Sequence, residues 1–376
     1  MPRTPQAELI FNHALKFVQP LRSVHGNAWA VIPTGPFTHR GDLIASSGFR
    51  DFLAAHFQHE HEIFPSPSAL THAIRMLAAH ALHTDAPAIE TFTRVGHRGD
   101  PRRPDAILLD LANPTHDVLE INAEGHRLCP NENCHFLQSA ETRPLPHPVE
   151  SPLTPVEHLR NILHLPDPAL EAAQDWLLAA LRPTGPYPTL IITGPAGSGK
   201  TTLGRALRDI IDPAAALPPI PRTTGQLHTH ALRHRVVVLD HVASLRKEIA
   251  DAVTRLTTGS SMAPPTRNII DDAKSIPISR PVIITAPAEH RSFPANAIHI
   301  RLEAIARENL CDEASIQDQL EHTAPALLGA ICIAITAALS HSKPDRSAFR
   351  VYTSASSSGA AGVACVPLMS TASWPG

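Results

Sequence analysis

Eight consecutive residues carry the clearest chemistry in this chain. Gly194-Pro195-Ala196-Gly197-Ser198-Gly199-Lys200-Thr201 fits G-x-x-x-x-G-K-[ST], with an apolar run, Thr189 to Thr193, before it and a helical pattern, Thr202 to Ile211, after it. Strand, glycine turn and helix in that order let successive backbone N–H groups converge on phosphate oxygens, and the helix start adds partial positive charge. Lys200 is then placed to reach the β- and γ-phosphates of a triphosphate, the Thr201 hydroxyl to ligate Mg²⁺, and Thr202 to close the cradle. Only five of the 32 basic residues are lysines, so composition does not account for one at this position. Further along, Arg235 to Asp240 (RVVVLD) is an apolar strand pattern ending in a carboxylate, where a Mg²⁺-binding Asp belongs in such a site. His241 follows it. Glu248 and Asp251, early in the next helical pattern, are the carboxylates available to orient an attacking water. The implied cofactors are ATP and Mg²⁺.

These residues need a parallel sheet to hold them. The runs Thr189 to Thr193, Val236 to Leu239 and Val282 to Thr285 alternate with helical patterns, as in a doubly covered α/β layer. Helical patterns at Pro155 to Leu163 and Leu170 to Leu181 precede them, and the chain reads as helix from Ala304 to Leu339. Upstream, a strand at Trp29 to Ile32, helices at Ser46 to His59 and Phe64 to His83, and β-like runs at Glu90 to Val95, Ala106 to Leu111 and Val118 to Ile121 describe an α+β unit. The proline-rich passage Arg143 to Pro155 separates the two. The expected organisation is an α+β domain over 1–142, a linker over 143–155, a nucleotide domain with C-terminal helices over 156–340, and a disordered Ser/Ala/Gly-rich tail over 341–376.

Composition narrows the function classes. A chain of 376 residues with 43% hydrophobic and 18% charged residues buries a large core, and a net charge of −3 supplies no global basic field, so any DNA contact must be local. Five cysteines without dense spacing suit a reducing, cytoplasmic setting. Ala324 to Leu339 is shorter than a membrane span and reads as a buried helix. Cys129, Cys134 and His135 lack the second pair that would close a zinc site. Arg94, His97, Arg98, Arg102 and Arg103 read as a solvated turn rather than a phosphate-contacting loop, and His56, His59 and His61 as helix surface. Asp105 and Asp110 fall on opposite faces of a strand, which argues against a shared metal.

The runs GPYPTLIITGPAGSGKTTLGRALRDIIDP, VVVLDHVASL, IADAVTRLTTGSS and TRNIIDDAKSIPISRPVIITAP resemble the P-loop ATPases of phage and integrative-element replication modules, which are similar to the ATPase half of superfamily III (AAA+) primase–helicases. The resemblance spans about Arg94 to Leu339. It implies an AAA+-like fold, a homo-oligomeric ring with DNA in its channel, and phosphate contacts from Arg267 and Lys274. It also marks departures. His241 stands where such proteins carry Asn, Thr285 where the sensor strand ends in Asn, and Ala295-Asn296-Ala297 where an arginine finger is expected, with Arg291 or Arg301 as substitutes. The first reading is therefore a DNA-associated Mg²⁺-ATPase, a helicase or loader, with Lys200, Asp240, Thr285 and Glu248 in catalytic roles. The alternatives are a nucleotide-gated scaffold that does not hydrolyse and, since a phosphate cradle alone chooses no acceptor, a small-molecule kinase.

Overall fold

The computed structural model describes residues 5–340, apart from 25, 34–38, 84, 86–87, 132–134, 140, 164, 261–277, 288–295 and 306–312. The tail beyond 340, Cys134, Arg267, Lys274 and Arg291 thus lie outside the described residues.

The first elements are α1 (Gln6–Ala14), β1 (Gln19–Arg22), β2 (Ala28–Pro33), β3 (His39–Leu43), α2 (Ser47–His61) and α3 (Pro67–His83). The strands pair antiparallel in that order. Alternation along β2 decides the packing: Ala30 and Ile32 join the three helices in one core, while Trp29 and Val31 face Leu21 and Leu43 on the other side. Ser46 caps α2 by accepting the Phe49 N–H (3.1 Å). Of the three histidines expected on the helix surface, His59 and His61 are exposed and His56 is half-buried; buried His13 contacts His56 Nδ1 (3.0 Å) and His61 Nε2 (3.3 Å) through its two ring nitrogens.

β4 (Thr91–Phe92), β5 (Val95–Asp100), β6 (Arg103–Asp110), β7 (Asp117–Asn122), β8 (Gly125–Pro130) and β9 (His135–Phe136) follow. β5 to β8 form an antiparallel meander, and β4 pairs with β9. The run Glu90 to Val95, expected as one strand, is broken where Arg94 adopts φ 61°. The cause is a buried cation. Arg94 Nε donates to Asp212 Oδ1 (3.1 Å), and its terminal nitrogens donate to the carbonyls of Asp110 (3.0 Å) and Arg143 (2.8 Å). Arg94 therefore belongs to the core and not to a solvated turn. Arg98, by contrast, reaches Glu120 (2.9 Å) beside Arg127 (2.8 Å) on the open face of the meander.

α4 (Pro155–Ile162) opens with a Thr154/Glu157 capping box, and α5 (Asp167–Ala180) follows. Then come β10 (Thr189–Gly194), α6 (Lys200–Ile211), α7 (Thr224–Arg233), β11 (Val237–Leu239), α8 (Lys247–Thr258), β12 (Val282–Pro287), β13 (Ala297–Arg301) and α9 (Glu313–Ser340). The four strands form a parallel sheet in the order β11-β12-β10-β13. Period-two alternation sorts them between two cores. Leu190, Ile192, Val236, Val238 and Ile283 pack with α5, α6 and α9, while Ile191, Val237, Leu239 and Ile284 pack with α7 and α8. The fold is α/β with a parallel sheet and a helical C-terminal segment, as the pattern implies. Residues 304 and 305 are not helical, and the last helix begins at Glu313.

The first of these cores also takes in Val95, Ile107, Leu109, Leu119 and Ile121 from the meander, together with Leu145 of the proline-rich passage. Val149 N–H donates to Pro325 O of α9 (2.9 Å), and Gly329 makes that approach possible, since a Cβ there would stand 2.0 Å from Val149 O. By length and composition the span Ala314–Ser340 could cross a membrane. In the structure Leu320, Leu327, Leu328, Ile331 and Ile335 are buried in the shared core.

Candidate nucleotide site

The carboxyl end of the parallel sheet assembles the site. Gly197 (φ 75°) and Gly199 (φ 80°) hold left-handed backbone that glycine alone adopts without strain. Gly194 is required for another reason: a Cβ there would lie 2.6 Å from Leu302 O. The first bond of α6 runs from Leu203 N–H to Gly199 O (2.8 Å), and the N-cap has no side chain. The amides of Lys200, Thr201 and Thr202 therefore have no acceptor within the helix, the arrangement that favours an anion. Lys200 Nζ bends over the loop and donates to Pro195 O and to Ser198 Oγ (3.4 Å). Pro195, Ala196 and Gly197 are exposed.

Strand register brings the second half of the site to the first. Leu239 pairs with Ile284, so Asp240 lies level with Thr285, and β12 lies between the Asp240 strand and the cradle strand. Thr201 Oγ1 donates to the Asp240 carboxylate, 3.0 Å from Oδ1 and 3.2 Å from Oδ2. Thr285, fully buried, donates to Asp240 Oδ1 (2.5 Å) and accepts the His241 N–H (2.9 Å). A hydroxyl has one proton, and Thr285 spends it on Asp240, so the geometry makes it an anchor for the carboxylate rather than a donor to water. His241 adopts φ 56°, a conformation that costs a non-glycine residue about 1 kcal/mol or more. Its ring is 76% exposed, with Nε2 3.3 Å from Thr201 Oγ1 and 3.4 Å from Asp240 Oδ2.

Lys200, Thr201, Asp240 and Thr285 thus converge, whereas Glu248 and Asp251 sit exposed on α8. Arg301 is exposed at the end of β13. Asn296, in place of the expected finger, gives its backbone carbonyl to Thr189 N–H (3.0 Å) and buries its side-chain Oδ1 without a hydrogen-bond partner. Sequence reasoning passed over His241 as a mere departure, and it missed Ile305, whose Cδ1 lies 3.6 Å from a Cβ built on Gly199. Neither has a local signal, since each depends on where the chain goes after a strand ends. Among the described residues no cluster of three or more His, Cys, Asp or Glu side chains could hold a metal. The Cys129 thiol donates to Val118 O (3.3 Å).

Residues 168–348 match a family model, the actinomycete integrative conjugative element replication protein. Over that stretch the chain resembles a P-loop replication ATPase. It is also similar in structure to the C-terminal region of NrS-1, at 13% identity and TM-score 0.45, covering 90% of this chain and 70% of that one. The active helicase Cch of SCCmec type IV follows at 12% identity and TM-score 0.38, covering 85% and 59%. A full-length MCM homolog from Methanopyrus kandleri matches at 13% identity and TM-score 0.31, covering 79% and 74%. No curated protein matches the chain.

Proposed function

We propose that this chain is a Mg²⁺-dependent ATPase of a mobile-element replication module, acting on DNA as a helicase or loader. One observation carries the reading: the Thr201 hydroxyl at the start of the cradle helix meets Asp240, at the end of a different strand, at 3.0 Å. A carboxylate and a hydroxyl from separate elements, set beside unclaimed helix-start amides, fit a metal-bound triphosphate. Gly194 to Thr202 hold the phosphates, Lys200 moves from Pro195 O to the phosphate oxygens, and Thr201 and Asp240 hold the ion. The ion they hold would supply charge neutralisation for the triphosphate. The family match supports the replication role. In this reading residues 156–340 form the nucleotide unit of a cytoplasmic, homo-oligomeric ring, the β-meander of residues 95–130 packs into the core of that unit, and Arg267 and Lys274 contact DNA phosphate.

A second reading, a nucleotide-gated scaffold that binds ATP without turnover, is favoured by the commitment of the Thr285 proton and by Asn296 at the finger position. Wild type compared with Lys200→Ala for ATP-analogue binding and DNA-stimulated phosphate release tests both. Binding lost in the variant, with turnover in wild type, supports the ATPase. Binding without turnover supports the scaffold. Unchanged binding in Lys200→Ala removes the site assignment.

A further inference from the structure

We infer that His241 is a third protein ligand of the cation at this site, giving it a mixed oxygen–nitrogen donor set. The inference rests on the site reading above and deepens it. Three donor atoms form a nearly equilateral triangle: Thr201 Oγ1 to Asp240 Oδ2 is 3.2 Å, Thr201 Oγ1 to His241 Nε2 is 3.3 Å, and His241 Nε2 to Asp240 Oδ2 is 3.4 Å. Neighbouring ligands of an octahedral ion at about 2.1 Å sit about 3.0 Å apart, so the triangle is one face of an octahedron around a slightly larger ion. The other three positions remain for phosphate oxygens and water.

The remaining bonds of the site are consistent with that use. Thr285 donates to Asp240 Oδ1, which leaves Oδ2 turned toward Thr201 and His241. Thr201 can keep its one proton on Asp240 and turn a lone pair to the ion. The His241 main-chain N–H is held by Thr285 Oγ1, and the next N–H, of Val242, by Thr285 O (2.8 Å), so the left-handed turn that displays the imidazole is pinned on both sides. A surface histidine with no task gains nothing from φ 56°, whereas a ligand gains its position.

The chemistry predicts a preference. Imidazole nitrogen favours first-row transition ions over Mg²⁺, which prefers oxygen and water. With nitrogen in the set and edges wider than Mg²⁺ requires, the site selects Mn²⁺ over Mg²⁺ more strongly than an all-oxygen site does.

The test uses the full chain with Mn²⁺ as probe, with and without a non-hydrolysable ATP analogue, and with ¹⁵N-labelled histidine to separate imidazole from adenine nitrogen. Pulsed electron paramagnetic resonance is expected to show ¹⁵N coupling to bound Mn²⁺. His241→Ala should abolish that coupling and lower the Mn²⁺-to-Mg²⁺ affinity ratio about tenfold or more. Nucleotide and Mn²⁺ bound without ¹⁵N coupling, or an unchanged ratio in the variant, overturns the nitrogen ligand and leaves the cradle intact. Mn²⁺ bound with coupling but no nucleotide binding upholds the ligand and overturns the ATPase reading. No Mn²⁺ binding under any condition overturns both.

Discussion

Replacing Thr285 by valine keeps the shape of the side chain and deletes one oxygen. That oxygen donates to Asp240 Oδ1 (2.5 Å) and accepts from His241 N (2.9 Å). A hydrogen bond to a charged group is worth about 1.5–3 kcal/mol and one between neutral groups about 0.5–1.5 kcal/mol. The methyl that replaces the hydroxyl returns about 0.8 kcal/mol at this buried position, so the fold should lose about 1–4 kcal/mol. The larger consequence is functional. Without its anchor the Asp240 carboxylate is left with the hydrogen bond from the Thr201 hydroxyl, and loss of a group that orients a ligand lowers metal affinity about 10–100-fold. Calorimetric titration with an ATP analogue in Mg²⁺ should show that loss, while a urea melt without nucleotide reports the stability cost. Thr285→Ser, which keeps the oxygen, should bind within about threefold of wild type. A valine variant that melts early yet binds with undiminished affinity would show that the hydroxyl serves folding alone and refute the anchoring argument.

Two further outcomes follow from the packing and the histidines. Alanine is a better helix former than glycine by about 1 kcal/mol, but Gly329→Ala drives a Cβ to 2.0 Å from Val149 O, so the variant should be less stable by about 1–3 kcal/mol, and a gain in urea midpoint would contradict the approach described. His13, His158, His228, His230, His234 and His299 are all held below the ordinary value of 6.5, burial being the largest cause for each. The unfolded chain then binds more protons below pH 6.5, so stability is complete above that value and falls as pH drops through the folded-state values. Urea midpoints should therefore be lower at about pH 5.5 than at about pH 7.5, and the reverse order would refute the burial argument.

The cradle could be read from sequence because its requirements are local: glycines for left-handed backbone, a strand before and a helix after. The strand ending in Asp240 was legible for the same reason. What escaped depended on distant partners. Arg94 broke an apparent strand because Asp212, far along the chain, accepts its guanidinium. β13 and α7 went unread because Ala297–Arg301 is short and Thr224–Arg233 mixes His, Thr and Arg into its apolar face. The role of Thr285 depends on the parallel register of β12 against β11, two strands joined only by a long crossover through α8 and so not fixed by a tight turn.

Asp212 closes the carboxyl end of α6, the helix whose first residues form the cradle, and its Oδ2 accepts the amides of Arg235 (2.7 Å) and Val236 (3.3 Å) as the chain enters β11. Its other oxygen holds Arg94. One carboxylate, about 18 Å from the phosphate loop by the rise of a twelve-residue helix, thus moors the rear of both elements that meet at Thr201 and Asp240. The two jaws of the grip share a single hinge pin, which is itself clamped to the β-meander. Damage at that pin would slacken the grip while leaving every residue in its mouth unchanged.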